Sequence, residues 1–242
     1  MTSFVTAKYD ALSGQILDPN SVITSPYTLK QSAVPSILPS SGTSNATGQI
    51  TLTTALPYTP TGVVFLYLPA GVVTAGAQGT GAGLYQVVFS STTVCQIQGT
   101  GIVTANAAYT QTTGADINLA TVIVPGGIMG ANGWLRITRD TTILNSATSK
   151  TGKILLGGQT VGVWGATTVQ VAPEQRRVKN RNSQAVQHVQ PDGFGYSNVT
   201  TASFQTTVDT SVAQTMLFQG QLAAATDYII QEGYTVEVLP SA

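Results

Sequence analysis

Short runs of apolar and β-branched residues recur along this chain from Ile50 onward, and several alternate with polar residues at a period of two. The pattern predicts strands at Ile50–Ala55, Val63–Leu68, Tyr85–Phe89, Thr93–Ile97, Leu119–Val124 and Trp134–Thr138. It predicts further strands at Lys153–Leu156, Val161–Val171, Val199–Val208, Thr215–Gln219, Asp227–Gln231 and Tyr234–Leu239. Trp134, Arg136 and Thr138 alternate with Leu135 and Ile137, as on a strand with one wet face. Val63-Val64-Phe65-Leu66-Tyr67-Leu68 is apolar throughout and is expected to be covered on both faces. Turn residues punctuate the runs at Pro69-Ala70-Gly71, Pro125-Gly126-Gly127, Asn132-Gly133, Pro191-Asp192-Gly193 and Glu232-Gly233. Many short strands without alternating helices, and without a repeat of 20 to 50 residues, predict an all-β fold: an antiparallel β-sandwich of jelly-roll type.

Residues 1–45 read differently. Pro19, Pro26, Pro35 and Pro39 separate short apolar patches that cannot build a core of their own, so an extended N-terminal arm is expected, lying on something else. Ser40-Ser41-Gly42-Thr43-Ser44-Asn45 reads as a polar hinge. The expected division is an anchoring arm over 1–45 and a jelly-roll-like sandwich over 46–242.

Composition sharpens this picture. The 242 residues include 10 basic and 10 acidic side chains, where an average soluble chain of this length carries about 60 charges. Thr, Ser, Gly, Ala, Val and Gln take their place, a palette that favours strands. With only Glu174, Glu232 and Glu237 as glutamates, helices are expected to be short at most. A net charge of zero supplies no field to attract nucleic acid or an anionic membrane. Cys95 is expected to be a small buried hydrophobe. Met1-Thr2-Ser3-Phe4-Val5-Thr6-Ala7-Lys8-Tyr9-Asp10 lacks the pattern of a secretory signal, and no run of 18 apolar residues occurs, so cytoplasmic synthesis without membrane insertion is expected.

Charge is also unevenly placed. No Asp, Glu, Lys or Arg occurs from Gln31 to Ala115, although mixed charges normally keep a monomer soluble and strand edges apart. Either hydroxyl and amide groups face water there, or identical neighbours cover the surface; the two-faced strand Val63–Leu68 favours the second. Glu174-Gln175-Arg176-Arg177-Val178-Lys179-Asn180-Arg181 gathers four basic residues, and the chain beyond Arg181 carries five acids and no Lys or Arg. This strip reads as a solvated edge strand or loop, or as a contact with the acidic C-terminal part of a neighbouring subunit.

Catalytic chemistry is scarce. One histidine, His188, precludes two-histidine zinc motifs, and no Gly-x-Ser-x-Gly elbow occurs. Gly76-Ala77-Gln78-Gly79-Thr80-Gly81-Ala82-Gly83 is followed by strand-like residues, as is Gly152-Lys153, so neither is a phosphate loop; the first reads as a flexible hairpin loop and the second as a turn. Asp227, Glu232 and Glu237 lie near an expected C-terminal hairpin, where Glu237 points to solvent and no carboxylate pair is evident. Asn45-Ala46-Thr47 and Asn198-Val199-Thr200 match a glycosylation pattern that has no meaning without secretion. Trp134, Trp164, Phe194 and Tyr196 would stack sugars if exposed together, but aromatics on alternating strands are more often core. No catalytic, cofactor-binding or metal-binding residue is expected.

The arm, the composition and the run from Thr207-Val208-Asp209-Thr210-Ser211 through Ala225-Thr226-Asp227-Tyr228 to Tyr234-Thr235-Val236-Glu237-Val238-Leu239-Pro240 resemble tailed-bacteriophage virion proteins. Val124-Pro125-Gly126-Gly127-Ile128-Met129-Gly130 with Asn132-Gly133-Trp134-Leu135-Arg136-Ile137 is similar to a pattern in the same proteins. The resemblance spans residues 120–240 and implies a jelly-roll-like, often trimeric module of head decorations, head fibres or tail fibres. The expectation is a structural virion subunit that docks through its arm and oligomerises through its sandwich, with capsid or tail proteins as partners. A fibre tip binding host glycans is the alternative, and a glycan depolymerase a third reading.

Overall fold

The computed structural model describes residues 8–10, 15–17, 27–191 and 204–241. The first strands, β1 (Lys8–Asp10) and β2 (Gln15–Leu17), pair antiparallel with each other. Then follow β3 (Tyr27–Ser32), β4 (Ser36–Pro39), β5 (Ser41–Ser44), β6 (Gln49–Leu52), β7 (Val63–Leu68), β8 (Val73–Ala75), β9 (Gly83–Phe89), β10 (Val94–Ile97), β11 (Val103–Thr104) and β12 (Ala108–Thr110). The second half contains β13 (Ile117–Val124), β14 (Trp134–Ile143), β15 (Lys150–Leu156), β16 (Gln159–Ala166), β17 (Glu174–Asn180), β18 (Gln187–Pro191), β19 (Phe204–Thr206), β20 (Gln214–Leu222) and β21 (Tyr228–Leu239). The fold is therefore all-β and mostly antiparallel, arranged as sandwiched sheets.

One large sheet runs β12-β5-β6-β10-β9-β7-β4-β21-β14-β17-β18-β19, and β3 joins it on β21. Its first half wraps around a core of Ile37, Ile50, Leu52, Val64, Leu66, Tyr85, Val87, Phe89, Cys95 and Ile97. Its second half faces a four-stranded sheet, β13-β20-β15-β16. Between them, Leu135, Ile137, Val236 and Val238 meet Ile154, Leu156, Met216 and Phe218. These residues alternate along their strands, so the period of two places each set on one dry face.

The strand β21 organises both halves. Its N-terminal part pairs with β4 (Ile230 opposite Ile37) and its C-terminal part with β3 (Thr235 opposite Gln31), so β3 and β4 lie end to end along one side. The other side pairs with β14 along nearly the whole strand. On its far side β4 runs parallel to β7, and all four of its residues are buried. Ile37 joins the first core, while Leu38 faces a small cluster with Leu119, Ile143, Leu222 and Ile229 at the junction of the halves.

Several expectations are corrected here. The expected hinge at Ser40–Asn45 is strand β5, and β4 before it lies in the middle of the sheet, so the boundary at residue 45 cuts through packed structure. Prolines marked the strand ends, and β4 acquires its apolar cover from the distant β21 and β7. The expected arm before Tyr27 lies outside the described residues, apart from β1 and β2. Glu232-Gly233 is not a turn: β21 continues through it, with Gly233 opposite Asp140, Gln231 opposite Thr141, and Glu232 as the extra residue of a bulge. A Cβ on Gly233 would stand 2.8 Å from the Ser32 carbonyl oxygen, so close approach of β3 is what excludes a side chain.

The strand expected at Val161–Val171 ends at Ala166, and Val171 makes only a single bridge to Thr142. Of the run Val199–Val208, residues 204–206 form β19, and 199–203 lie outside the described residues.

Candidate interaction surface

Strand β7 is not covered on both faces. Val64, Leu66 and Leu68 are buried, whereas Phe65 and Tyr67 are half-buried and Val63 is 47% exposed. Across the ladder, Val63 pairs with Val88, Phe65 with Gln86 and Tyr67 with Leu84. The outer face of β7 and β9 is therefore largely apolar and uncharged, with Val63 and Gln86 exposed and Tyr67 resting partly against the Leu38–Leu119 cluster of its own chain.

That face leads into a groove of about 240 Å³ lined by Val34, Phe65, Leu84, Ala120, Thr121 and Tyr234, among others. Val34, 43% exposed, stands on its rim, where Pro35 separates β3 from β4. On the opposite side the groove meets β13, the outermost strand of the four-stranded sheet. Strand β13 carries no charge from Ile117 to Val124, and its Ile123 is 57% exposed.

Charges instead occupy the interior and the remaining faces. Arg139 Nη2 donates to Glu174 Oε2 at 2.6 Å, with both side chains almost fully buried. Its Nη1 reaches across the sandwich to the carbonyl oxygens of Lys153 (3.3 Å) and Gln219 (3.1 Å). Arg176 Nε donates to the other oxygen of Glu174 at 2.9 Å. Burial lowers the pKa of Arg139, opposed by the Glu174 carboxylate. A second buried pair joins Lys150 to Asp227, Nζ to Oδ2, at 3.6 Å. Ser146 Oγ accepts from Lys150 at 2.6 Å and donates to Asp227 at 2.8 Å, while the Thr148 hydroxyl donates to the same carboxylate.

Two of the five acids beyond Arg181 are ion-paired within their own chain, while Asp209 is exposed. Asp227 is fully buried, and Glu237 is bridged to Arg136 of its own chain at 2.6 Å instead of pointing freely to solvent. Glu232 accepts a hydrogen bond from the Tyr58 hydroxyl. Burial is the largest cause raising the pKa of Tyr58, followed by this bond. The basic strip is strand β17, flanked on both sides by β14 and β18, so it is not an edge. Its Arg177 and the neighbouring Arg136 lie over the ring of Trp134, at 5.6 and 5.9 Å.

The other singled-out residues that lie among the described ones occupy different strands and loops. His188 is half-buried in β18, opposite Lys179. Cys95 is buried and its thiol is pushed up to about 12 by desolvation. Trp134 and Trp164 sit in different sheets, and Phe194 and Tyr196 lie outside the described residues. Lys153, with Gly152 before it, lies within β15 and not in a turn. The Gly76–Gly83 segment joins β8 to β9, strands that do not pair with each other. Gln78 ties this loop down, accepting from Gln86 N at 2.7 Å and donating to the carbonyl oxygens of Gln98 and Gln86 at 2.6 and 3.1 Å. A cleft of about 330 Å³ lies at one end of the large sheet, lined by Thr43, Ser44, Asn45, Gln49, Thr51 and Asn106 among others. Among the described residues, no group of three or more His, Cys, Asp or Glu side chains converges as a metal site.

No protein-family model matches this chain, and no curated protein is detectably similar to it.

Proposed function

We propose that this protein is a structural subunit of a bacteriophage particle, a head decoration, head fibre or tail fibre component of jelly-roll type that assembles with copies of itself. The observation that carries the reading is the largely apolar outer face of β7 and β9, within a stretch of chain devoid of charge. A soluble monomer normally protects such a face with charged side chains, and an assembly covers it. The sequence resemblance over residues 120–240 supplies the virion context and the expected three-fold symmetry. The segment before Tyr27 is the part expected to dock on capsid or tail proteins.

Light scattering at micromolar concentration tests the assembly, with an oligomer expected; a monodisperse single-chain species overturns it. Antibody labelling of purified particles tests the location, and a particle without label overturns the virion assignment.

The cleft beside Asn45 and Asn106 supports a second reading, a fibre tip that holds a neutral host glycan through amide and hydroxyl groups. A glycan array with the Asn106→Ala variant as control decides it.

A further inference from the structure

We propose that two copies join through β13, edge to edge and antiparallel about a two-fold axis, extending the four-stranded sheet into one of eight strands. The inference rests on the self-assembly reading and adds a two-fold contact to it; together with the three-fold symmetry expected from the resemblance, it makes the assembly two trimers joined across β13.

The four-stranded sheet has two edges, β13 and β16. The β16 edge is closed by its own chain: Arg176 Nη2 donates to the Val163 carbonyl oxygen at 2.9 Å, and Gly162 lies against Glu174 and Arg176. Among the described residues, no backbone or side-chain group outside the sheet bonds to the backbone of β13. Strand edges are normally blunted by lysine, proline, brevity or a central bulge. Ile117–Val124 has eight residues with no charge and no proline, and its irregularity falls between Asn118 and Ala120, leaving Ala120–Val124 regular.

The register follows from the side-chain alternation. Val122 and Val124 are buried, whereas Thr121 and Ile123 point outward. Two antiparallel copies of the regular stretch keep buried residues opposite buried ones when the axis passes through Val122. Thr121 then faces Ile123 of the second copy, and the exposed Ile123 gains a cross-strand partner.

Charge selects antiparallel over parallel pairing. Asp116, held by Lys153 at 2.7 Å, flanks the start of β13. In the antiparallel arrangement the two Asp116 residues lie about 40 Å apart, well beyond the screening length of about 10 Å; in a parallel one they would be neighbours.

Area identifies what must accompany the strand. An edge of eight residues, about 27 Å long and about 10 Å thick, presents roughly 270 Å², a third of the about 800 Å² per copy that a stable contact takes. The uncharged rim beside it, with Val34, Phe65 and Leu84, is placed to supply the remainder.

Thr121→Lys/Ile123→Lys sets lysines opposite each other while altering only exposed side chains. Its thermal melt should match wild type, and its self-association by sedimentation equilibrium should be weakened at least tenfold. Thr121→Cys/Ile123→Cys should form a dithiothreitol-reversible covalent dimer under mild oxidation, with Cys95 buried and silent. Wild-type-like assembly of the lysine variant, together with dissociation by Val63→Lys, overturns the edge contact while self-assembly stands. A wild-type odd-numbered oligomer also overturns the two-fold contact alone. A wild-type monomer overturns both the contact and the self-assembly reading.

Discussion

Arg139 and Glu174 stand directly opposite each other on β14 and β17, and their side chains meet at 2.6 Å inside the sandwich. Arg139 also donates to carbonyl oxygens of β15 and β20, so one guanidinium links the two sheets. Removing one member of such a pair strands a desolvated charge. Glu174→Ala is expected to destabilise the fold by about 3–5 kcal/mol, read from urea denaturation. Glu174→Gln keeps an acceptor and should cost less; equal stability of all three proteins would mean that Arg139 finds compensation elsewhere.

Gly152 is the space into which that guanidinium fits. A Cβ there would overlap the Trp164 indole and the Arg139 guanidinium, and Trp164 already lies with its ring 5.6 Å from the Arg139 head. Gly152→Ala should cost about 1–3 kcal/mol as overpacking and shift the Trp164 fluorescence. An unchanged spectrum and melt would contradict the packing described.

The Cys95 thiol gives a pH test. In the unfolded chain a thiol ionises near its ordinary value of about 8.5, whereas burial holds it protonated to about 12 in the fold. Unfolding therefore releases a proton between these values. Its contribution to stability is fully present below about pH 8.5 and declines as pH rises toward the folded value. Cys95→Ala lacks this decline, so its stability should approach that of wild type between neutral pH and about pH 10. At neutral pH, the native thiol should react with an aromatic disulfide reagent no faster than the chain unfolds.

Gln78 makes three hydrogen bonds to backbone groups of β9 and the segment after β10. Gln78→Ala leaves those groups without this partner and should cost about 1–3 kcal/mol, with faster amide exchange at Gln86. Wild-type exchange at Gln86 would mean that water replaces the side chain at no cost.

Much of the fold was legible because side-chain direction in a strand is local. Leu135 and Ile137 on one face of β14, with Trp134 and Arg136 on the other, follow from their order alone. The same parity marks two charged residues as well. Arg139 falls in step with Leu135 and Ile137, and Lys150 with Ile154 and Leu156, so both charges were already marked for the dry face. Each needed a buried counter-charge, and the counter-charge was not legible: Asp227 is remote from Lys150 in the chain, and nothing local joins them.

The sequence by itself determined the fold class, the dry face of most strands, the burial of Cys95 and the lack of charge from Gln31 to Ala115. Each depends on residue type and on the two-residue period of extended backbone. Only the tertiary structure decided that β4 is a central strand, that β3 and β4 share one side of β21, and that Glu232 is the extra residue of a bulge. It also decided that β7 exposes one face and that β13 is an edge. Pairings such as Ile37 with Ile230 join distant stretches of chain. Which strand reaches which neighbour is set by the simultaneous burial of all the apolar faces, a condition that no local pattern contains.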